Sequence, residues 1–135
     1  MKVGFVNGCF DILHIGHKRL FEFAKNNCEY LIVGIDSDQR VKELKGDSRP
    51  LNCQYDRKEM LESIKYIDKV EIFNSEKELI NLVKVHHPAV MFVGSDYKEK
   101  NVIGSQHAKK LIFFERIDGY SSTKAIKDIT NRRNM

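Results

Sequence analysis

The chain has 135 residues, 41% of them hydrophobic and 31% charged, and its 23 Lys plus Arg outnumber 19 Asp plus Glu for a net charge of +4. That length predicts a single domain over residues 1–135, large enough to bury a core without disulfide or metal staples. The apolar runs fall short of the roughly 18 residues a membrane span needs, and three scattered cysteines with no Cys-x-x-Cys pair point to a reducing cytoplasm.

Taken in chain order, the predicted elements alternate. Val3 to Val6 reads as a first strand, passing into Asn7-Gly8 too early for a signal-peptide core. Leu20, Phe21, Phe23 and Ala24 form a helical stripe after Gly16. Tyr30 to Ile35 is a second strand, and Asp38 to Asn52 is expected to hold a short helix followed by a mobile loop. Met60, Leu61, Ile64 and Ile67 mark a further helix before a strand from Val70 to Phe73. Leu79, Ile80, Leu82 and Val83 mark the next, closed by His86-His87-Pro88, which reads as structural. Strands follow at Val90 to Val93 and Leu111 to Phe114, then a last helix through Ala125, Ile126 and Ile129. His107 and the tail Asn131 to Asn134 carry no signal. Short β-branched runs between amphipathic helices imply an α/β fold. The expectation is a Rossmann-like, doubly wound sheet of five parallel strands in the order 3-2-1-4-5, with helices on both faces.

In such a sheet ligands bind beyond the carboxyl ends of the strands, where the strand order reverses. The unusual residues fall there: Asn7 to Asp11 and His14 to His17 after strand one, and Asp36-Ser37-Asp38 after strand two. Gly94 to Tyr97 follows strand four and Arg116 to Thr123 follows strand five. His14 and His17 share one face of a helix start. Gly16 between them leaves room for a ligand, and the helix N-terminus suits phosphate. A pair of surface histidines and a zinc pair are the alternatives, the latter without further ligands nearby in sequence. Gly119-Tyr120-Ser121-Ser122-Thr123 opens the last helix, as an ordinary N-cap or as a second phosphate cradle. Lys42, Lys45, Arg49 and Arg57 bracket Gly46-Asp47-Ser48, either a solvated basic loop or a lid for an anionic substrate. Asp36 resembles a ribose-binding acid, with helix capping by Ser37 or Asp38 the equal alternative. Neither a Walker loop nor a Gly-x-Gly-x-x-Gly turn occurs, which disfavours Walker-type kinases and typical dehydrogenases.

Gly8-Cys9-Phe10-Asp11-Ile12-Leu13-His14-Ile15-Gly16-His17 resembles the Gly-x-Phe-Asp-x-x-His-x-Gly-His signature of the cytidylyltransferase-type nucleotidyltransferases. Arg116 to Thr123 is similar to that superfamily's second motif. Within it, Leu44 to Asn52, Asp96-Tyr97 with Ile103-Gly104-Ser105, and Asp118 to Thr123 most resemble heptose-1-phosphate adenylyltransferases. Val6 stands where those enzymes usually have Thr, Ser95 replaces a Gly, and Cys9 replaces the Thr common in glycerol-3-phosphate cytidylyltransferases.

The resemblance implies the reaction NTP + R-phosphate → NDP-R + pyrophosphate, with ATP and a sugar phosphate, or CTP and an alcohol phosphate such as glycerol 3-phosphate. It implies that His14 and His17 hold the α-phosphoryl group, that Ser122 and Thr123 bind the β/γ-phosphates, and that Arg116 adds charge near the leaving group. Lys45 and Arg57, with Lys42 and Arg49, are implied to grip the acceptor phosphate. Gly8, Cys9, Phe10, Gly16, Gly119 and Ser121 are implied to line the nucleotide. Asp11 and Asp96 are implied to organise it through hydrogen bonds or Mg²⁺, which is expected to arrive on the NTP phosphates. A homodimer is implied too, as is a separate kinase to supply the sugar phosphate. A non-enzymatic module binding nucleic acid through the mild positive charge is the rival reading, and the pair of motifs opposes it.

Overall fold

Phe5 and Val6 are neighbours in sequence and belong to different hydrophobic cores. Successive side chains on a strand point to opposite faces, so an unbroken apolar run builds two cores at once. The computed structural model describes residues 1–94 and 102–115, and the structural statements below concern these residues.

The elements are β1 (Val3–Gly8), α1 (Ile15–Asn26), β2 (Tyr30–Asp36), α2 (Asp38–Lys45), α3 (Gln54–Glu62), β3 (Lys69–Phe73), α4 (Glu76–His86), β4 (Val90–Gly94) and β5 (Lys110–Phe114). A 3₁₀ turn at Ser105–His107 precedes β5. The strands form one sheet in the order β3-β2-β1-β4-β5, every pair parallel. Both the order and the direction match the sequence expectation. β1 lies between β2 and β4, with Val6 opposite Val33 on one side and Phe92 on the other. The chain reverses its winding there, which opens a crevice at the carboxyl ends of β1 and β4.

One face packs Val6, Leu31, Val33, Val90 and Phe92 against Phe21 and Ala24 of α1 and Leu61 of α3. The other packs Phe5, Ile32 and Met91 against Leu79 and Val83 of α4. Each fully buried Val, Leu, Ile, Phe or Met among them contributes about 1.5–3 kcal/mol. Between the two layers the sheet is covered on both faces, as a parallel sheet must be.

Local chemistry sets the helix ends. Ser37 and Ser75 cap α2 and α4, their Oγ atoms accepting from Arg40 N and Glu78 N. α2 stops at Gly46, whose φ of 100° lies in the left-handed region that glycine enters without strain. α4 stops at His87, also left-handed, ahead of Pro88. His86 Nε2 lies 2.7 Å from Glu71 Oε2, and His87 Nδ1 lies 2.8 Å from the His107 carbonyl oxygen, so both histidines tie α4 to neighbouring elements.

Two details differ from expectation. α3 ends at Glu62, ahead of Ile64 and Ile67, because successive tight turns take over: Ser63 N–H reaches the Met60 carbonyl, Ile64 that of Leu61 and Ile67 that of Ile64. The segment after α2, expected to be mobile, is fastened to the β1–α1 loop by the bonds described below. The last predicted helix, through Ala125, Ile126 and Ile129, lies outside the described residues.

Candidate active site

A cavity of about 400 Å³ opens at the crevice. Gly8, Cys9, Phe10, His14, Gly16 and His17 line it from the β1–α1 side, and Lys45 lines it from the end of α2. Phe92 to Gly94, Val102, Ile103 and Phe114 form an apolar wall from the β4 and β5 side. Six of the seventeen site residues expected from sequence thus share one cavity with Lys45.

The β1–α1 segment is shaped by Phe10. Its backbone sits at φ 50°, a conformation side chains other than glycine rarely adopt and which costs roughly 1–3 kcal/mol. Packing holds it there: the Phe10 ring meets Phe21 edge-on at 5.1 Å and His17 at 5.4 Å. A Cβ at Gly8 would lie 3.0 Å from Phe10 Cζ, so glycine lets the ring fold back over β1.

His14 and His17 cap α1 reciprocally. His14 Nδ1 accepts from Gly16 N–H at 3.0 Å, and His17 Nδ1 accepts from His14 N–H at 3.2 Å. The capping-box pattern usually made by Ser or Thr with Glu is made here by two imidazoles. Their rings stack with centroids 3.9 Å apart. A ring nitrogen that accepts an N–H bond carries no proton, so each neutral ring bears its proton on Nε2, on the side away from the backbone. The helix cap thereby fixes the orientation of both rings, which line the cavity beside the positive end of the α1 dipole.

Arg57 corrects a sequence expectation. Its side chain is 1% exposed and fully engaged inside the protein. Nε donates to the Asn52 carbonyl, one Nη to the carbonyls of Cys9 and Asp36, and the other to Asp38 Oδ1. It ties the end of β1 to the end of β2 and is out of reach of an acceptor phosphate. Asp11 corrects a second. Its carboxylate has no exposed surface and accepts from Leu51 N at 2.8 Å and Asn52 N at 2.9 Å, so it is closed off from nucleotide and metal. Arg49 lies buried with Nε 3.4 Å from Asp11 Oδ2.

The basic residues of the loop therefore separate. Lys45 faces the cavity, whereas Lys42 borders a second, open polar groove with Asp38, Gln54 and Tyr55. Asp36 lies at the cavity rim, 2.8 Å from Arg40 Nε, and the cap of α2 comes from Ser37. Burial pushes the Cys9 thiol above its ordinary pKa despite the opposing charges of Lys45 and Arg57, which disfavours the thiolate at this wall of the cavity. Among the described residues no group of three His, Cys, Asp or Glu side chains converges to hold a metal ion, and no helix is long and apolar enough to cross a membrane.

Asp96, Arg116, Gly119, Ser121, Ser122 and Thr123 lie outside the described residues. Sequence reasoning missed Arg40 and the apolar wall. Val93, Phe114 and their neighbours carry no chemical signature, and their position at the carboxyl ends of β4 and β5 was the only available clue. It also missed Asn52, whose Nδ2 donates to the Asp11 carbonyl at 2.8 Å.

Comparison with known proteins agrees with this geometry. The cytidylyltransferase-like family matches residues 5–128. The bifunctional protein HldE of Campylobacter fetus is 44% identical over 125 residues, covering 93% of this chain and 27% of that protein. HldE of Aliarcobacter butzleri is 45% identical over 130 residues, covering 95% and 27%. The chain thus spans about a quarter of the length of these relatives. Among solved structures, a lipopolysaccharide core biosynthesis protein from Thermoplasma volcanium superposes with a TM-score of 0.72 at 20% identity, over 87% of this chain and 99% of that one. A pantoate-beta-alanine ligase from Francisella tularensis superposes at 0.66 and 19%, over 97% and 69%. At those identities the structures speak for the fold alone. With a sheet that reverses at β1, a His-x-Gly-His turn on the cavity it opens, and a family match across nearly its whole length, this chain belongs to the cytidylyltransferase-like family and is a nucleotidyltransferase.

Proposed function

We propose that this nucleotidyltransferase moves an adenylyl group from ATP to a sugar 1-phosphate of the heptose type, releasing pyrophosphate. The observation that carries the reading is the reciprocal histidine cap at the start of α1, whose two rings line the same cavity as Lys45. The choice of sugar rests on the resemblance of Leu44 to Asn52 and Asp118 to Thr123 to heptose-1-phosphate adenylyltransferases. The 44–45% identity to HldE proteins adds to it.

In this reaction a phosphate oxygen of the acceptor attacks the α-phosphorus. The bond from that phosphorus to the bridging oxygen of the β-phosphate breaks, and pyrophosphate leaves with the electron pair. No protein nucleophile takes part, and catalysis consists of positioning and charge neutralisation. His14 and His17 donate to the α-phosphoryl oxygens as charge gathers there. Lys45 draws the acceptor phosphate across the cavity. Arg116, Ser122 and Thr123 take the β/γ-phosphates, and Asp96 meets the nucleotide, as the second motif's resemblance implies. The substrate is MgATP, the cation carried by the triphosphate oxygens. A homodimeric state and a cytoplasmic location belong to the same reading.

Pyrophosphate release over a grid of ATP and CTP against heptose 1-phosphate and glycerol 3-phosphate tests it. Turnover is expected with ATP and heptose 1-phosphate. A strong preference for CTP with glycerol 3-phosphate replaces this reading with CDP-alcohol synthesis.

A further inference from the structure

Asp11 sits in the signature segment that also carries His14, yet everything its carboxylate touches lies elsewhere in the chain. Oδ2 accepts from Leu51 N and pairs with Arg49 Nε, Oδ1 accepts from Asn52 N, and the Asp11 carbonyl accepts from Asn52 Nδ2. Charge-assisted bonds of this kind from two consecutive backbone amides fix both the position and the orientation of a loop. The loop so fixed runs from Gly46 to Cys53, directly after Lys45, the lysine on the cavity rim. At the loop's far end α3 begins, and there Arg57 holds the carbonyls of Cys9 and Asp36. The loop is thus pinned at its middle by Asp11 and at its end by Arg57, and both pins attach to the peptide that presents the histidines.

We propose that Asp11 is a positioning residue: it latches the 46–53 loop so that Lys45 stands at the right distance from His14 and His17 for the acceptor phosphate to meet the α-phosphorus. The inference rests on the proposed transfer reaction for its kinetic consequences, and it stands on the loop geometry for its structural ones. Asp11 acts without touching nucleotide, metal or acceptor. Its loss leaves the nucleotide side assembled, because the histidine cap and the Arg57 bond to the Cys9 carbonyl do not pass through it. What drifts is the acceptor side, and a misplacement on the order of 1 Å lowers turnover by about 10²-fold.

Asp11→Asn tests this. Its amide must point an N–H at one of the two backbone amides, setting donor against donor, and Arg49 loses its charge partner. Three readouts are taken on the full chain: steady-state kinetics with MgATP and the acceptor identified by the substrate grid, ATP affinity by calorimetry, and hydrogen exchange at Leu51 and Asn52. The expected result is a kcat lower by about 10–10²-fold and an acceptor KM raised about tenfold. ATP affinity and the Mg²⁺ concentration for half-maximal rate stay within about threefold, and the two amides lose their protection. A tenfold loss of ATP affinity or a tenfold higher Mg²⁺ requirement, with Leu51 and Asn52 still protected, makes Asp11 a direct ligand and overturns the proposal. A lower melting temperature with unchanged kcat and KM also overturns it. Should Asp11→Asn fail to fold, Asn52→Ala removes one bond of the same latch, and the same kinetic split is expected at smaller size; its absence counts against the latch. If wild type transfers to a different acceptor, the heptose reading fails, while the exchange measurement and the kinetic split with that acceptor still decide the role of Asp11.

Discussion

Arg57 offers a sharp test, because sequence and structure assign it different work. A basic residue beside a phosphate site reads as a substrate clamp, whereas its four hydrogen bonds make it a buried strut. Replacing it with Met keeps much of the aliphatic stem and removes every donor. The Asn52 carbonyl and the Asp38 carboxylate, which is 33% exposed, can turn to water. The Cys9 and Asp36 carbonyls, part-buried at the ends of β1 and β2, lose a charged partner worth about 1.5 kcal/mol apiece. The expected loss is therefore about 3 kcal/mol, a large share of the 5–15 kcal/mol that typically holds a domain together. For a chain of this length it corresponds to a fall in Tm on the order of 10 °C. Urea unfolding followed by circular dichroism measures it, with an unchanged m-value confirming that the same surface unfolds. Arg57→Lys is expected to recover less than half of the loss, since one ammonium cannot span carbonyls on two strands and a loop. Stability within about 0.5 kcal/mol of wild type in Arg57→Met, together with a large rise in acceptor KM that Lys restores, would return Arg57 to the substrate and refute the strut.

Three further outcomes are expected. His17→Ala removes one Nε2–H donor and one arm of the α1 cap, so kcat falls by about 10²–10³-fold while stability drops by about 1 kcal/mol; full turnover removes His17 from the mechanism. Burial raises the thiol pKa of both Cys9 and Cys28, leaving less thiolate at neutral pH than a water-exposed cysteine has. Iodoacetamide at pH 7.5 is therefore expected to label exposed Cys53 first, and equal labelling of Cys9, read by peptide mass spectrometry, contradicts this. Glu22 is held below its ordinary pKa, chiefly by the Tyr66 hydroxyl donating to Oε2 and then by Lys18. A depressed carboxylate stabilises above its unfolded pKa and loses that contribution as pH falls through the folded value. Tyr66→Phe is expected to lower Tm at pH 7 and to make a smaller difference at pH 3; equal differences at both pH values exclude the Glu22 bond as the cause.

Much of the architecture is legible in the sequence. Runs such as Tyr30 to Ile35, short, β-branched or aromatic and apolar at successive positions, read as strands buried on both faces, and their alternation with helical stripes points to a parallel sheet. Five strands wound this way place the residues after β1 and β4 together at the reversal point, so His14, His17 and Gly16 on one crevice followed from topology. The basic loop was harder. Lys42, Lys45, Arg49 and Arg57 look alike in sequence, where charge is visible and burial is not. In the fold one faces the cavity, one a separate groove, and two lie inside the protein.

Periodicity and the spacing of polar residues follow local rules of strand and helix, and with right-handed crossovers those rules point to a parallel sheet and to the edge that carries the chemistry. Whether a charged side chain meets substrate or backbone depends on atoms tens of residues away. Only tertiary packing brings Asp11 to Leu51 and Arg57 to Cys9, because desolvation requires each buried charge to find its partners wherever the folded chain supplies them.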